Sequence, residues 1–139
     1  MVSLKWLNLT IIKNTNTMAV IKYESSVGFT VEDLQKIFAD PKLKSAKVYN
    51  SCMYADYTQE QLEKSIVKDF EPIDGIFVEY GIIASYDLTG KSEPFTIEKL
   101  LEKLPDEHPD MIIERDVEDG YRYEDYDVIL ISEDYVVFC

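Results

Sequence analysis

The sequence predicts a single α+β domain in which about three helices pack on a mixed or antiparallel sheet. Three observations predict it: a helix-start phrase that occurs three times, β-prone runs between those phrases, and an acidic C-terminal segment with strand and turn signals. The predicted order is roughly β-α-β-α-β-α-β-β-β. With 139 residues, 46% of them hydrophobic and 29% charged, the chain matches one globular domain over residues 1–139.

The N-terminal part of the sequence predicts one short strand, and the segment before it allows two interpretations. Residues 18–23 carry β-branched side chains and predict a strand. Residues 1–17 are expected to be either an edge strand, over residues 4–12, or a dispensable extension. The alternative arises because residues 14–17 are polar and linker-like, and Met18 could serve as a second start.

The helix-start phrase reads aromatic, Thr, any residue, Glu, any residue, Leu, and it begins at Phe29, Tyr57 and Phe95. Threonine is a good N-cap, because its hydroxyl accepts a backbone N–H of the first turn. The aromatic residue and the leucine then occupy the two positions of a hydrophobic staple. Apolar residues at helical spacing follow each phrase, and a proline ends each segment. The phrases lie 28 and 38 residues apart with little else in common, so we attribute them to repeated capping chemistry rather than to duplication.

Five further β-prone runs complete the predicted sheet. They are residues 46–54, 76–86, 111–117, 121–131 and 135–138. Gly81 inside the second run indicates a bulge or bend, and Asp119-Gly120 between the third and fourth is a strong hairpin signal. Residues 106–139 are therefore expected to form an acidic β-meander.

Strand alternation assigns faces within this meander. Tyr121, Tyr123, Asp125, Asp127, Ile129 and Ile131 are expected on one face, and Arg122, Glu124, Tyr126, Val128 and Leu130 on the other. The second half is apolar on both faces and is expected to lie centrally in the sheet. The first half must be largely solvated, because buried unpaired carboxylates are destabilising.

The net charge is concentrated in this segment. Residues 106–135 hold twelve acids against Arg115 and Arg122, which accounts for ten of the thirteen net negative charges. Such a field repels nucleic acid and anionic membranes and attracts basic protein surfaces. Carboxylates about 6.6 Å apart along a strand can also imitate the phosphates of DNA.

The leading hypothesis is therefore a non-enzymatic inhibitor that binds a basic, nucleic-acid-binding protein, as a DNA mimic of phage or mobile-element origin. Tyrosines would anchor the interface and carboxylates would steer the partner. The expected partner-binding residues are Glu118, Asp119, Tyr121, Tyr123, Glu124, Asp125, Tyr126 and Asp127. By analogy with other small acidic proteins, an immunity protein against a basic toxin is an alternative.

Other uses of the acidic segment remain open. It could serve only to solubilise the protein, because charge runs are usually solvated faces. The chain could also be an assembly subunit that forms homo-oligomers through a sheet edge or through Cys139, which is expected to be exposed. A small metal-binding protein or enzyme is the last alternative.

Motifs for specific chemistry are absent from the sequence. Aligning Gly120 with the EF-hand glycine puts Arg115, Val117 and Tyr126 at positions that need oxygen ligands. His108 is the sole histidine, and Cys52, expected to be a reduced core residue, and Cys139 form no metal spacing. The glycines make no phosphate-binding loop. We therefore predict no cofactor, no metal and no catalytic residue. Without a signal peptide or a membrane-spanning run, the expected compartment is the cytoplasm, that of the host if the protein is viral.

Overall fold

The fold is dominated by β-strands. The computed structural model describes residues 8–13, 19–51, 60, 61, 64, 69–117, 122–132 and 134–139. In these residues nine strands form one sheet, accompanied by two seven-residue α-helices. The strands are β1 (Asn8–Lys13), β2 (Ala19–Glu24), β3 (Lys47–Asn50), β4 (Glu71–Val78), β5 (Ile82–Tyr86), β6 (Ile113–Asp116), β7 (Tyr123–Asp125), β8 (Val128–Ile131) and β9 (Tyr135–Phe138). The helices are α1 (Val31–Ile37) and α2 (Ile97–Lys103), with a 3₁₀ turn at Pro41–Leu43.

The predicted arrangement of three helices packed on a sheet is wrong. The described residues are mostly strands, and only two short α-helices have described bounds. These two begin at the first and third phrases, whose threonines, Thr30 and Thr96, are the N-caps as expected. The middle phrase lies mainly outside the described residues, within which Glu60, Gln61 and Lys64 have helical backbone.

The run predicted as one strand over residues 76–86 is instead a hairpin. β4 and β5 are antiparallel, and Val78 is paired with Ile82 across a three-residue turn. Gly81 belongs to that turn, where its carbonyl accepts the Glu79 N–H at 3.0 Å. β-Prone residues continue on both sides of the turn, so the pattern of the run did not reveal the reversal. Pro72, expected to end a helix, lies buried in β4.

The sheet curls back on itself. Its strand order is β1-β2-β8-β9-β3-β4-β5-β6-β7. The pairs β3–β9 and β5–β6 are parallel, and the other neighbouring pairs are antiparallel. β7 is the strand at one edge of the sheet, whereas β8 lies inside the sheet between β2 and β9. In the sequence, only Tyr126 and Asp127 separate these two strands. One stretch of chain therefore joins the last strand of the sheet to its middle.

A β-bulge lies at this junction. The N–H groups of Asp127 and Val128 both donate to the Cys139 carbonyl, at 2.9 and 3.2 Å, so two residues oppose one. The extra residue reverses the alternation. Ile129 and Ile131 consequently join Tyr126 in the main core, and their predicted place on the Asp125 face is wrong. The predicted central position of β8 is confirmed, because it lies between β2 and β9 with all four residues buried.

Both helices pack into the main core on one face of the sheet. Leu34 and Ile37 of α1 and Ile97 and Leu100 of α2 contribute to it. A smaller cluster contains Val128 and Leu130 of β8 together with Phe70. At one end of the main core, the start of α1 holds the segment before β6.

The two described helix starts make the same backbone contacts. At α1, Val31 donates to Met111, Glu32 to Pro109, and Ile113 to Phe29. At α2, Ile97 donates to Ala46, Glu98 to Lys44, and Val48 to Phe95. Each helix start is thus fixed to the strand that follows the other helix. The α1 contacts set the position of residues 109–113, which form part of the candidate site.

Candidate functional site

The candidate site is a cavity of about 480 Å³ beside β6. It lies where the turn of the β4–β5 hairpin, the segment before β6, and strands β6 and β7 meet. Its lining is Tyr80, Gly81, Glu107, His108, Pro109, Asp110, Met111, Ile112, Glu114 and Asp125. Four of these residues are acids, and none of the described residues that line it is a lysine or arginine. We call this space the acidic cavity.

Two carboxylates of the acidic cavity face each other across the β6–β7 pair. Glu114 on β6 is directly opposite Asp125 on β7. Farther along, the Val117 N–H donates to the Arg122 carbonyl at 2.8 Å. Counting back from that bond makes Glu114 and Asp125 a non-hydrogen-bonded pair, the kind in which facing side chains approach most closely. Like charges at such positions are unfavourable.

The surroundings of Glu114 favour its protonated form. Burial is the largest cause that raises the pKa of Glu114, followed by the negative charge of Asp125 and a hydrogen bond between the two carboxyls. No ion pair between either carboxylate and a lysine or arginine is found within the described residues. The pair therefore lacks a described cationic side chain that would balance its charge.

Two glycines leave room for these carboxylates. Gly28 has φ +82°, and a Cβ added there would lie 2.8 Å from Cγ2 of Ile112 and 3.4 Å from the carboxyl carbon of Asp125. A Cβ on Gly81 would lie 3.1 Å from Oε1 of Glu114. Each carboxylate thus sits against a stretch of backbone that has no side chain. Larger residues at these two positions would crowd the acidic cavity.

The predicted partner-binding residues fall into three groups. Tyr123, Glu124 and Asp125 form β7 and are exposed, and Asp127 is exposed beyond them. Of the predicted residues, Asp125 alone lines the acidic cavity. The second group, Glu118, Asp119 and Tyr121, lies outside the described residues, and the third is Tyr126 alone, which is buried.

Tyr126 does not belong to the exposed surface, and its predicted role as an interface anchor is wrong. It is 0% exposed. Its hydroxyl donates to Oδ1 of Asn50 at 2.5 Å, and its ring meets that of Phe138 at 5.2 Å. The guanidinium of Arg115 lies 4.9 Å from the centre of the Tyr126 ring. The alternation correctly put Tyr126 opposite Asp125, but the curl of the sheet turns that face into the core.

The two arginines of the acidic segment are already engaged. Arg115 is buried and donates from Nη1 to the Ser51 carbonyl at 2.6 Å. Arg122 makes an ion pair with Glu124 at 3.1 Å, and Nε of Arg115 lies 3.9 Å from the same carboxylate. Glu124 is therefore partly neutralised within the protein, in contrast to Glu114 and Asp125.

An apolar feature beside the acidic cavity was not anticipated from the sequence. Phe77, Val78 and Tyr80, at the end of the β4–β5 hairpin, are exposed by 59%, 43% and 102%. The prediction of one continuous strand over residues 76–86 placed these three residues inside the sheet, so their exposure was not expected. A segment ending in glycine between two β-prone runs, Glu79-Tyr80-Gly81, is the signal that could have indicated the turn.

Cys139 was expected to be exposed and is instead buried, with 5% of its surface accessible. Burial is the largest effect on its thiol and raises the pKa to about 12, against a smaller opposing effect of Arg115. Cys139 therefore does not offer an exposed thiol for cross-linking. Cys52 lies outside the described residues.

Further tests of the chain against known features gave negative results. Within the described ranges, no group of three or more His, Cys, Asp or Glu side chains is placed to hold a metal ion. No helix in the described part of the chain has the length and apolar character needed to cross a membrane. Comparisons with protein-family models, curated proteins and solved structures found no match.

Proposed function

We propose that this chain is a non-enzymatic acidic protein that binds a basic protein surface through the acidic cavity and the adjoining strand β7. The observation that carries the proposal is the opposed pair of Glu114 and Asp125 in a cavity with two further acids. A lysine or arginine from a partner would neutralise this pair and relieve its repulsion. The exposed Tyr123 and Glu124 on β7 would lie beside that contact.

The partner class follows from charge. The chain has 27 acids against 14 basic residues, a net charge of −13, so long-range attraction selects basic surfaces. Proteins that act on nucleic acids carry such surfaces, because they contact phosphates with lysine and arginine. The protein would act as an inhibitor by occupying that surface in the cytoplasm. Glu118, Asp119, Tyr121 and Asp127 remain proposed contributors to the same interface.

Binding of a partner would be coupled to proton release. Glu114 has a raised pKa in the free protein, and a bound cation would lower it. Proton release on binding strengthens the complex as the pH rises through that raised value. A purely apolar interaction does not predict this pH dependence.

The test measures competition with DNA. A purified DNA-binding protein is held on labelled duplex DNA, and the chain is added at low and at moderate salt. We expect DNA to be displaced at low salt, and the affinity of the chain for the basic protein, calculated with the DNA affinity measured at each salt concentration, should fall as the salt rises.

A pair of charge-matched variants identifies the surface. Glu114→Gln with Asp125→Asn removes two carboxylates from the acidic cavity, whereas Glu93→Gln with Glu102→Gln removes two exposed carboxylates that do not line it. The cavity variant should displace DNA several-fold less effectively than the control variant. If the two variants act alike, or if the wild type displaces no DNA from any basic protein tested, the proposal fails.

A further inference from the structure

Exposed apolar side chains are concentrated at the hairpin tip, which we define as residues 77–80. Six large hydrophobic side chains are exposed among the described residues, and three of them, Phe77, Val78 and Tyr80, lie in these four positions. Single exposed apolar residues are ordinary, but a concentration of them at one end of a hairpin indicates an interaction surface. The tip is therefore a candidate contact that the charge pattern alone does not explain.

The tip is held by ordered structure on both strands. Phe77 is paired with Ile83 and Val78 with Ile82, and both isoleucines are buried. The ring of Phe77 lies over Gly75, at 3.6 Å from the position that a Cβ would take there. These contacts present the tip in a fixed geometry, which reduces the entropy lost when a partner binds.

The tip is continuous with the acidic cavity. Tyr80 is the last residue of the tip and also lines the cavity that contains Glu114 and Asp125. A molecule that covers Tyr80 therefore meets carboxylates at the same time. A second copy of this chain is a poor occupant, because it brings a net charge of −13 to the same place.

We infer that the hairpin tip is the apolar anchor of a mixed interface, and that the partner surface presents an apolar recess next to a lysine or arginine. The cation enters the acidic cavity, and its aliphatic stem lies along the ring of Tyr80, as long basic side chains pack on aromatic surfaces. Phe77 fills the neighbouring recess, because the Phe77–Ile83 and Ile83–Glu114 pairs put it on the same face of the sheet as Glu114. This inference rests on the proposed function, because charge complementarity selects the occupant.

Two peptides of equal charge test the inference. One alternates arginine with leucine and the other alternates arginine with serine, and binding of each to the full chain is measured by fluorescence anisotropy over a range of salt. The wild type should bind both peptides in a salt-dependent way and should bind the leucine peptide on the order of tenfold more tightly, as expected for a buried apolar anchor.

Two variants test whether the hairpin tip causes the preference for the leucine peptide. Phe77→Ser with Tyr80→Ser should abolish the preference for the leucine peptide while leaving salt-dependent binding of both. Leu88→Ser, at a residue that is 79% exposed on another loop, should keep the preference. Thermal unfolding of each variant checks that the fold is intact.

The outcomes separate the two claims. Equal affinity for both peptides, or a preference that survives in the double variant, overturns the inference and leaves the proposed function standing. Absence of salt-dependent binding of either peptide overturns the proposed function, and the inference with it. If the wild type sediments as a dimer and the double variant as a monomer, the tip binds a second copy and the inference is wrong.

Discussion

Glu114 and Asp125 stand directly opposite each other on two neighbouring antiparallel strands, a like-charged pair at one of the closest cross-strand positions. Gly28 and Gly81 leave space beside the two carboxylates. The protein thus carries an unfavourable contact at the place where the acidic cavity opens. A contact of this kind is costly for folding and useful for binding a cation.

Removal of this repulsion should stabilise the protein. At pH 7, Asp125→Asn should raise the free energy of unfolding by up to about 1 kcal/mol, the range found for cross-strand pairs. Urea unfolding measures it. Glu124→Gln is the control, because Glu124 lies near Arg115 and Arg122 and its neutralisation removes attractions. A stabilisation of equal size in both variants would contradict the assignment.

The pH dependence of the same variant has a definite sign. The pKa of Glu114 is raised by burial and by Asp125, so protonation of Glu114 favours the folded state. That stabilisation is complete below the ordinary pKa of 4.5 and is lost as the pH rises through the raised value. The difference in melting temperature between Asp125→Asn and wild type should therefore grow from pH 4 to pH 7. A difference that stays constant over this range would rule out the coupling.

The buried hydroxyl of Tyr126 should contribute to stability. Tyr126→Phe removes the hydroxyl that donates to Oδ1 of Asn50 at 2.5 Å in the core. Loss of a buried hydrogen bond with one partner left in place costs about 1–3 kcal/mol. Tyr80→Phe is the matched control, since Tyr80 is 102% exposed and its change should lie within about 0.5 kcal/mol. Equal effects of the two substitutions in urea unfolding would mean that the bond does not stabilise the fold.

Substitution of the third residue of the helix should lower the free energy of unfolding more in α1 than in α2. In α1, Asp33 is 0% exposed and accepts the Thr30 N–H at 3.0 Å, while the Thr30 hydroxyl accepts the Asp33 N–H. In α2, Lys99 occupies the equivalent position and only the threonine half of this exchange is made. Asp33→Ala should cost about 1–2 kcal/mol in urea unfolding, and Lys99→Ala about 0.5 kcal/mol or less. The reverse order would show that the capping exchange is not what stabilises α1.

Cys139 should be unreactive in the folded protein. Its thiol is buried with a pKa of about 12, so little thiolate forms at pH 8. Iodoacetamide labelling at pH 8, followed by peptide mass mapping, should leave the C-terminal peptide unmodified in buffer and modified in urea. Labelling of Cys139 in buffer at the rate found in urea would show that its thiol is accessible in the folded protein.

Local patterns in the sequence were sufficient for several elements. Thr30 and Thr96 begin helices because an N-cap contact is made by residues close together in sequence. Strand β9 has the predicted bounds, Tyr135–Phe138, because a short apolar run must be buried. The central place of β8 followed from apolar residues on both of its faces. Exposure of Tyr123, Glu124 and Asp125 followed from the cost of burying carboxylates.

The sequence by itself determined the helix starts, the central strand and the location of the charge, because each depends on neighbouring residues or on the solvation of single groups. Only the tertiary structure decided which acids meet and which tyrosines are exposed. The opposition of Glu114 to Asp125 depends on strand register. The burial of Tyr126 depends on the curl that joins β7 to β8. Long-range pairing sets both, and a local pattern carries no information about it.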